Sequence, residues 1–347
     1  MSQTAIEAAE ARQPIAMKVL LERGTAYLLL AGLAVFAVWH LIDTPAAFFT
    51  TVIVGFNQGI LYALVALGYT LVYGIIELIN FSHGDLFMLA TVLSGFMLVT
   101  WFGATTATFG AFLAMVATLV VAMVFGAAIN TTAERVAYRR LRRAPKLAPL
   151  ITAVGLSFVY QWGGIKSNGS GQRNWDTILG SSGFTVLNVK VPWSLIVVTA
   201  VTVPLLVGMT YIIQKTRQGK AMRATAQDQD AARLMGIDVD RTIALTFAIG
   251  GALAGAAGLL YLQTFGTTRY DVGFTLGLIA FTAAVLGGIG NLNGAVLGGI
   301  LIGLIQALND RFFLGIAYSQ TVVFTILILL MVFKPEGILG KPSTEKV

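Results

Sequence analysis

Apolar stretches of membrane-crossing length recur along this chain, and short polar segments separate them. A helix of about 20 apolar residues spans the roughly 30 Å hydrocarbon layer of a bilayer. The pattern predicts spans at 26–42, 51–76, 86–102, 109–129, 147–164, 193–213, 242–265, 274–288, 295–308 and 318–333. The stretch from 274 to 308 also suits one re-entrant unit followed by one span. The expectation is an all-α, polytopic membrane protein with about nine or ten transmembrane helices and broken or re-entrant central helices.

Composition agrees with that pattern. Of 347 residues, 56% are hydrophobic and 11% charged, against about 25% charged in soluble domains. The net charge of +7 is a matter of topology rather than of nucleic-acid binding. With the N-terminus inside, the inside segments hold Arg12, Lys18 and Arg23, then Arg135, Arg139, Arg140, Arg142, Arg143 and Lys146. They also hold Lys215, Arg217, Lys220, Arg223, Arg233 and Arg241, then Lys334, Lys341 and Lys346. These are 18 of the 23 basic residues, as the positive-inside rule requires for N-in and C-in termini. Trp39, Trp101, Trp162 and Trp193 fall at outer ends of spans and Trp175 in the outer loop, as an interfacial belt would place them. The first span follows Lys18 and Arg23 as a signal peptide would. However, Glu7, Glu10 and Glu22 precede it and no clean cleavage site follows. It reads as a retained helix. The longest extramembrane segments are 166–192 outside, rich in Gly, Ser and Asn, and 214–241 inside. No soluble domain is expected.

Chemistry concentrates between Asn57 and Asp85, in NQGILYALVALGYTLVYGIIELINFSHGD. At 100° per residue, Gln58, Tyr62, Tyr69, Tyr73, Glu77 and Asn80 fall within one helical arc of about 100°. Polar groups at membrane depth usually face a bundle interior or a water-filled path. The segment Asn80–Asp85 is expected to interrupt the helix, with Gly84 permitting the backbone break. Together with His83 and Asp85, the stripe is the candidate solute path. The plainer account keeps these groups near a helix end, satisfying one another, with Asp85 as an N-cap and His83 structural.

Loop 214–241 holds a second candidate. Asp230, Ala231, Ala232, Arg233, Leu234, Met235 and Gly236 read as a short helix closed by a C-terminal glycine, with Asp238 or Asp240 capping the next span. A solvated basic loop facing anionic membrane lipid is the competing account. Glycines at 250–258 and around 290–303 stand at the small-xxx-small spacing of close-packed helices. They do not form a phosphate loop, because no P-loop Lys-Ser/Thr follows. The breaks at 74–84 and 287–294 share an apolar helix, an Asn-containing interruption and a second apolar helix. Zero cysteines and two histidines give no thiol nucleophile or His-rich metal centre. Neither a catalytic constellation nor a metal cluster is apparent, so no enzyme, metal or resident cofactor is expected.

Five blocks in order, from about residue 50 to Leu339, resemble the H-type permease subunit of branched-chain amino-acid ABC importers. They are ALVALGYTLVYGIIELINFSHGD, NTTAERVAYRRLRRAPKLAPLITAVGLS, GKAMRATAQDQDAARLMGIDVDRTIALTFAIGGALAGAAGLLY, FTAAVLGGIGNLNGAVLGGILIG and KPEGILGKP. The resemblance implies a sheet-free helical permease that pairs with a second, M-type permease. Two cytoplasmic ATPase subunits would carry the ATP, and an external substrate-binding protein would deliver the solute. It also implies that Asp230, Ala231, Ala232, Arg233 and Gly236 form the coupling helix on which the ATPase docks, with Asp where the family's EAA-x3-G pattern has Glu. Residues 1–48 look like an N-terminal extension carrying an extra span, 49–340 the permease domain and 341–347 a cytoplasmic tail.

The resulting expectation is an ATP-driven permease for branched-chain or related amino acids in a bacterial inner membrane. It has protein and membrane-lipid partners and no nucleic acid. A stand-alone, ion-coupled secondary transporter, drawing on Glu77, His83 and Asp85, is the alternative.

Overall fold

In the computed structural model the described residues are 32, 35–77, 80–142, 144–145, 147–180, 182–186 and 189–340. Residues 26–31, 33 and 34 of the expected 26–42 span, the tail 341–347 and the basic residues Arg12, Lys18, Arg23, Arg143, Lys146, Lys341 and Lys346 lie outside them. The chain divides into two compact units. The smaller comprises 1–50 with 187–189, and its described part is helical at 35–43 and again from Pro45. The larger comprises 51–186 and 190–347 and holds most of the helical bundle.

The principal helices are α1 (Pro45–Ile76), α2 (Ser82–Trp101), α3 (Phe109–Leu141), α4 (Leu147–Asn168) and α5 (Trp193–Lys215). Two short helices follow, α6 (Arg217–Gln227) and α7 (Gln229–Leu234). The bundle closes with α8 (Val239–Phe265), α9 (Val272–Gly287), α10 (Leu292–Phe312) and α11 (Ile316–Phe333). Seven of these are long and apolar enough to cross a membrane, α4 and α9 being the principal helices outside that set. The protein is a multi-pass, helical membrane protein. At 16 residues α9 extends about 24 Å, short of a full crossing, and α10 follows after a tight turn.

Burial separates centre from rim. The most apolar window of α1 is 83% buried and that of α8 78%, whereas those of α5 and α11 are 17% and 11% buried. Rim helices therefore leave their apolar side chains for lipid, and α1 and α8 form the interior.

Small residues bring the central helices together, as their spacing predicted. On α3 and α8, Gly126, Gly251 and Gly255 sit so close that an added Cβ would meet the opposing backbone. Between α1 and α10, Gly55, Gly59, Gly299 and Gly303 do the same. Association in lipid lacks a hydrophobic driving force between helices, so close van der Waals packing of this kind has to supply it.

Segment 166–192 departs from expectation. Short strands occur at Arg173–Asn174 (β1), Gly183–Val186 (β2), Val189–Pro192 (β3) and Thr267–Thr268 (β4), with β1 antiparallel to β4. The fold is therefore not wholly sheet-free. Trp175 and Ile178 bury themselves against Leu98, Leu259 and Leu262. The Trp175 indole donates to Thr268 Oγ1 at 3.1 Å. Trp175 is thus a core residue rather than a belt residue, while Trp101, Trp162 and Trp193 are exposed.

Candidate functional site

The turn between α1 and α2 lies earlier than the sequence suggested. Helix α1 ends at Ile76, and Glu77 adopts φ +51°, an unusual conformation for a side-chain-bearing residue. Helix α2 starts at Ser82 with no side-chain cap. Gly84 is therefore inside α2, where its missing Cβ admits the backbone of Gly273 and Gly277 on α9. Asp85 is not an N-cap either. It is fully buried, accepts from Ser157 Oγ and lies 3.4 Å from Gln161 Nε2 on α4. Ser157 and Gln161 stand one helical turn apart on one face of α4, which is how both reach the same carboxylate.

The structure disperses the proposed stripe. Tyr62 is buried and donates to Gln306 Oε1 on α10 at 2.8 Å. Tyr69 packs edge-on against His83 at 4.9 Å between ring centres and lies 6.2 Å from Phe281. Tyr73 and Gln58 are half-buried, and Glu77 is exposed. Asn80 has left the α1 helix altogether, so it cannot share that helical arc. Its Oδ1 accepts from Tyr138 at 2.7 Å and from Ser82 at 2.6 Å. Around the turn, Thr70 Oγ1, Asn80 Nδ2 and both ring nitrogens of His83 are buried without a hydrogen-bond partner among the described residues.

Tyr138 closes a π-helical turn, Glu134–Tyr138, within α3. Such turns often mark functional positions. At its start Glu134 is fully buried, held by Arg139 and Arg142. Arg142 also donates to Asp240 Oδ1 at 2.5 Å, in the first turn of α8.

Asp240 lies six residues beyond the end of α7. The Asp228 carboxylate caps α7, accepting from the Asp230 and Ala231 amides at 2.9 and 3.0 Å. The helix ends as expected at Gly236, with φ +81°. Ile237 N–H donates to Ala232 C=O and Gly236 N–H to Arg233 C=O, both at 3.0 Å, the paired bonds of a Schellman ending. Asp238 then caps α8 through the Arg241 amide at 2.9 Å. Ala232 is buried in the protein's own core, so it does not offer room to a partner. Instead Leu234 and Met235 project, 89% and 83% exposed. The sequence reading placed these two on the short helix but left them out of the candidate site, and it missed Glu134, Tyr138, Ser157 and Gln161. An apolar pair at the tip of a polar loop was the signal.

Residues 51–332 match the family model described as branched-chain amino acid transport system, permease component. The chain belongs to this family. The branched-chain amino acid permease BraD of Pseudomonas aeruginosa is 40% identical over 299 residues, covering 84% of this chain and 96% of BraD. LivH of Escherichia coli K12, named a high-affinity branched-chain amino acid transport system permease, is 40% identical over 304 residues with the same coverage. Both relatives are transport permeases. A solved structure, PsaBC from Streptococcus pneumoniae with a Fab, aligns at a TM-score of 0.43 and 15% identity, over 87% of this chain and 97% of that one. Membership of a family of transport-system components disfavours the stand-alone ion-coupled transporter.

Proposed function

We propose that the chain is one permease of an ATP-driven importer of branched-chain or related amino acids in a bacterial inner membrane, with both termini inside. Its partners are an M-type permease, two ATPases that carry the ATP and an external binding protein. Helix α7 is the docking element, and Leu234 and Met235 fill an apolar groove on the ATPase. The solute passes beside the α1–α2 turn, where Thr70, Asn80 and His83 supply polar atoms.

One observation carries this reading. Polar contacts, bridged by the backbone of one π-helical turn, join the first turn of α8, just beyond α7, to the α1–α2 turn. They run from Asp240 to Arg142, from Arg142 to Glu134, through the π-helical turn to Tyr138, and from Tyr138 to Asn80. A push on α7 passes through the exposed carboxylate of Asp240 to Arg142 and then through the buried groups Glu134, Tyr138 and Asn80, which transmit displacement better than flexible surface side chains. Glu77 at positive φ marks the turn as the place where backbone conformation can change.

The test is affinity purification of the tagged chain from its own membranes, followed by mass spectrometry. Near-stoichiometric recovery of two ATPases and a second permease is expected. Recovery of the chain alone, in a preparation that still takes up solute, would overturn the proposal.

A further inference from the structure

Three arginines converge on a groove that the transport reading does not use. Arg135 on α3, Arg217 on α6 and Arg241 on α8 line a groove of about 610 Å³ whose inner end is made by Ala244, Leu245 and Ala248. None of the three forms an ion pair among the described residues. The nearby carboxylates are already committed. Glu134 and Asp240 hold Arg142, and Asp238, which also lines the groove, caps α8.

We propose that this groove binds the phosphate of an anionic phospholipid, with an acyl chain lying along α8. Guanidinium forks match phosphate oxygens in pairs, and three unpaired ones in one groove favour a ligand that brings negative charge. The apolar end selects a lipid over a protein carboxylate. Ala248 lies nine residues beyond the start of α8, roughly 14 Å along a membrane-spanning helix, and Leu245 is exposed there. A partner carboxylate paired with the arginines would leave this apolar end uncovered, whereas a lipid fills both parts of the groove. Basic pockets at the ends of membrane helices bind anionic headgroups in this way.

Native mass spectrometry of the intact, detergent-solubilised complex tests the site, with phosphatidylglycerol, phosphatidylcholine and inorganic phosphate as separate probes. One phosphatidylglycerol should be retained in preference to phosphatidylcholine. The triple variant R135Q/R217Q/R241Q should bind it on the order of a hundredfold more weakly, and each single variant about fivefold. Lys220→Gln, in the same basic loop but away from the groove, should bind as the parent does. Equal weakening by Lys220→Gln would show diffuse surface attraction and overturn the proposal. So would full displacement by inorganic phosphate, which would make this an anion site without a lipid, or phosphatidylglycerol retained only after the ATPases are stripped from the complex, which would make it a protein contact. The single variants keep the test valid if the triple variant misfolds, and none of these outcomes depends on the transported solute.

Discussion

The hydroxyl of Tyr138 donates to Asn80 Oδ1 at 2.7 Å, joining two buried side chains 58 positions apart. One end sits on a π-helical turn next to a buried ion pair, the other at the turn between the two helices that the site is built on. Tyr138→Phe removes this bond and a longer 3.4 Å contact with Ser82 Oγ, while Asn80 keeps its bond from Ser82. The stability cost should be about 1 kcal/mol. Uptake by the assembled complex should nevertheless fall roughly tenfold, a loss of about 1.4 kcal/mol in coupling, while the ATPases stay bound. Parallel assays of uptake, ATPase retention and thermal unfolding check this; unchanged uptake would remove Tyr138 from the coupling route.

A double-mutant cycle addresses the other half of that route. Glu134 is fully buried, so Arg142→Met leaves its charge short of a partner and should cost about 3 kcal/mol. Glu134→Gln in the same background should recover part of that loss, giving a coupling energy of about 1–3 kcal/mol. Additive melting-temperature changes would mean that the ion pair does not hold the two segments together.

At the docking element, different substitutions separate shape from surface. Gly236→Val forces a β-branched residue to φ +81° and should cost about 1–2 kcal/mol locally, misdirecting α7. Leu234→Glu and Met235→Glu alter only exposed side chains, so folding should be unaffected while ATPase recovery in pull-downs falls at least tenfold. Ala232→Trp is a poor probe of docking, since it overfills the protein's own core. Normal ATPase recovery with both glutamate variants would leave loop 214–241 as a membrane anchor only.

Cysteine labelling reports on the solute path, against no native cysteine background. A cysteine at exposed Glu77 should react with a small water-soluble reagent in every state. Cysteines at buried Tyr69 and Asn80 should be protected in the nucleotide-free complex and become reactive when ATP is trapped. Protection in both states would place the path elsewhere.

The helical class and the glycine contacts were legible because both are written as local spacing. Helix α7 was legible for the same reason, a short helix and its terminal glycine lying within residues 230–236, although its Asp228 cap was not read. The polar stripe was less so. Helical periodicity put Asn80 on the arc of Tyr73, but α1 stops at Ile76, and periodicity fails wherever a helix ends. Asp85 resembled a cap because the turn was drawn too late; its partners, Ser157 and Gln161, are more than 70 positions away and carry no local signature. Trp175 looked interfacial for a related reason, since nothing near it in sequence announces Thr268.

The central claim is that this chain moves solute only as part of an ATP-driven assembly, and reconstitution tests it most directly. Liposomes containing the purified complex, ATP inside, and binding protein loaded with radiolabelled leucine outside should accumulate leucine. Accumulation should stop when ATP is replaced by a non-hydrolysable analogue or when Leu234→Glu is introduced. Leucine uptake by the chain alone, driven by a proton or sodium gradient without ATP, would contradict the account.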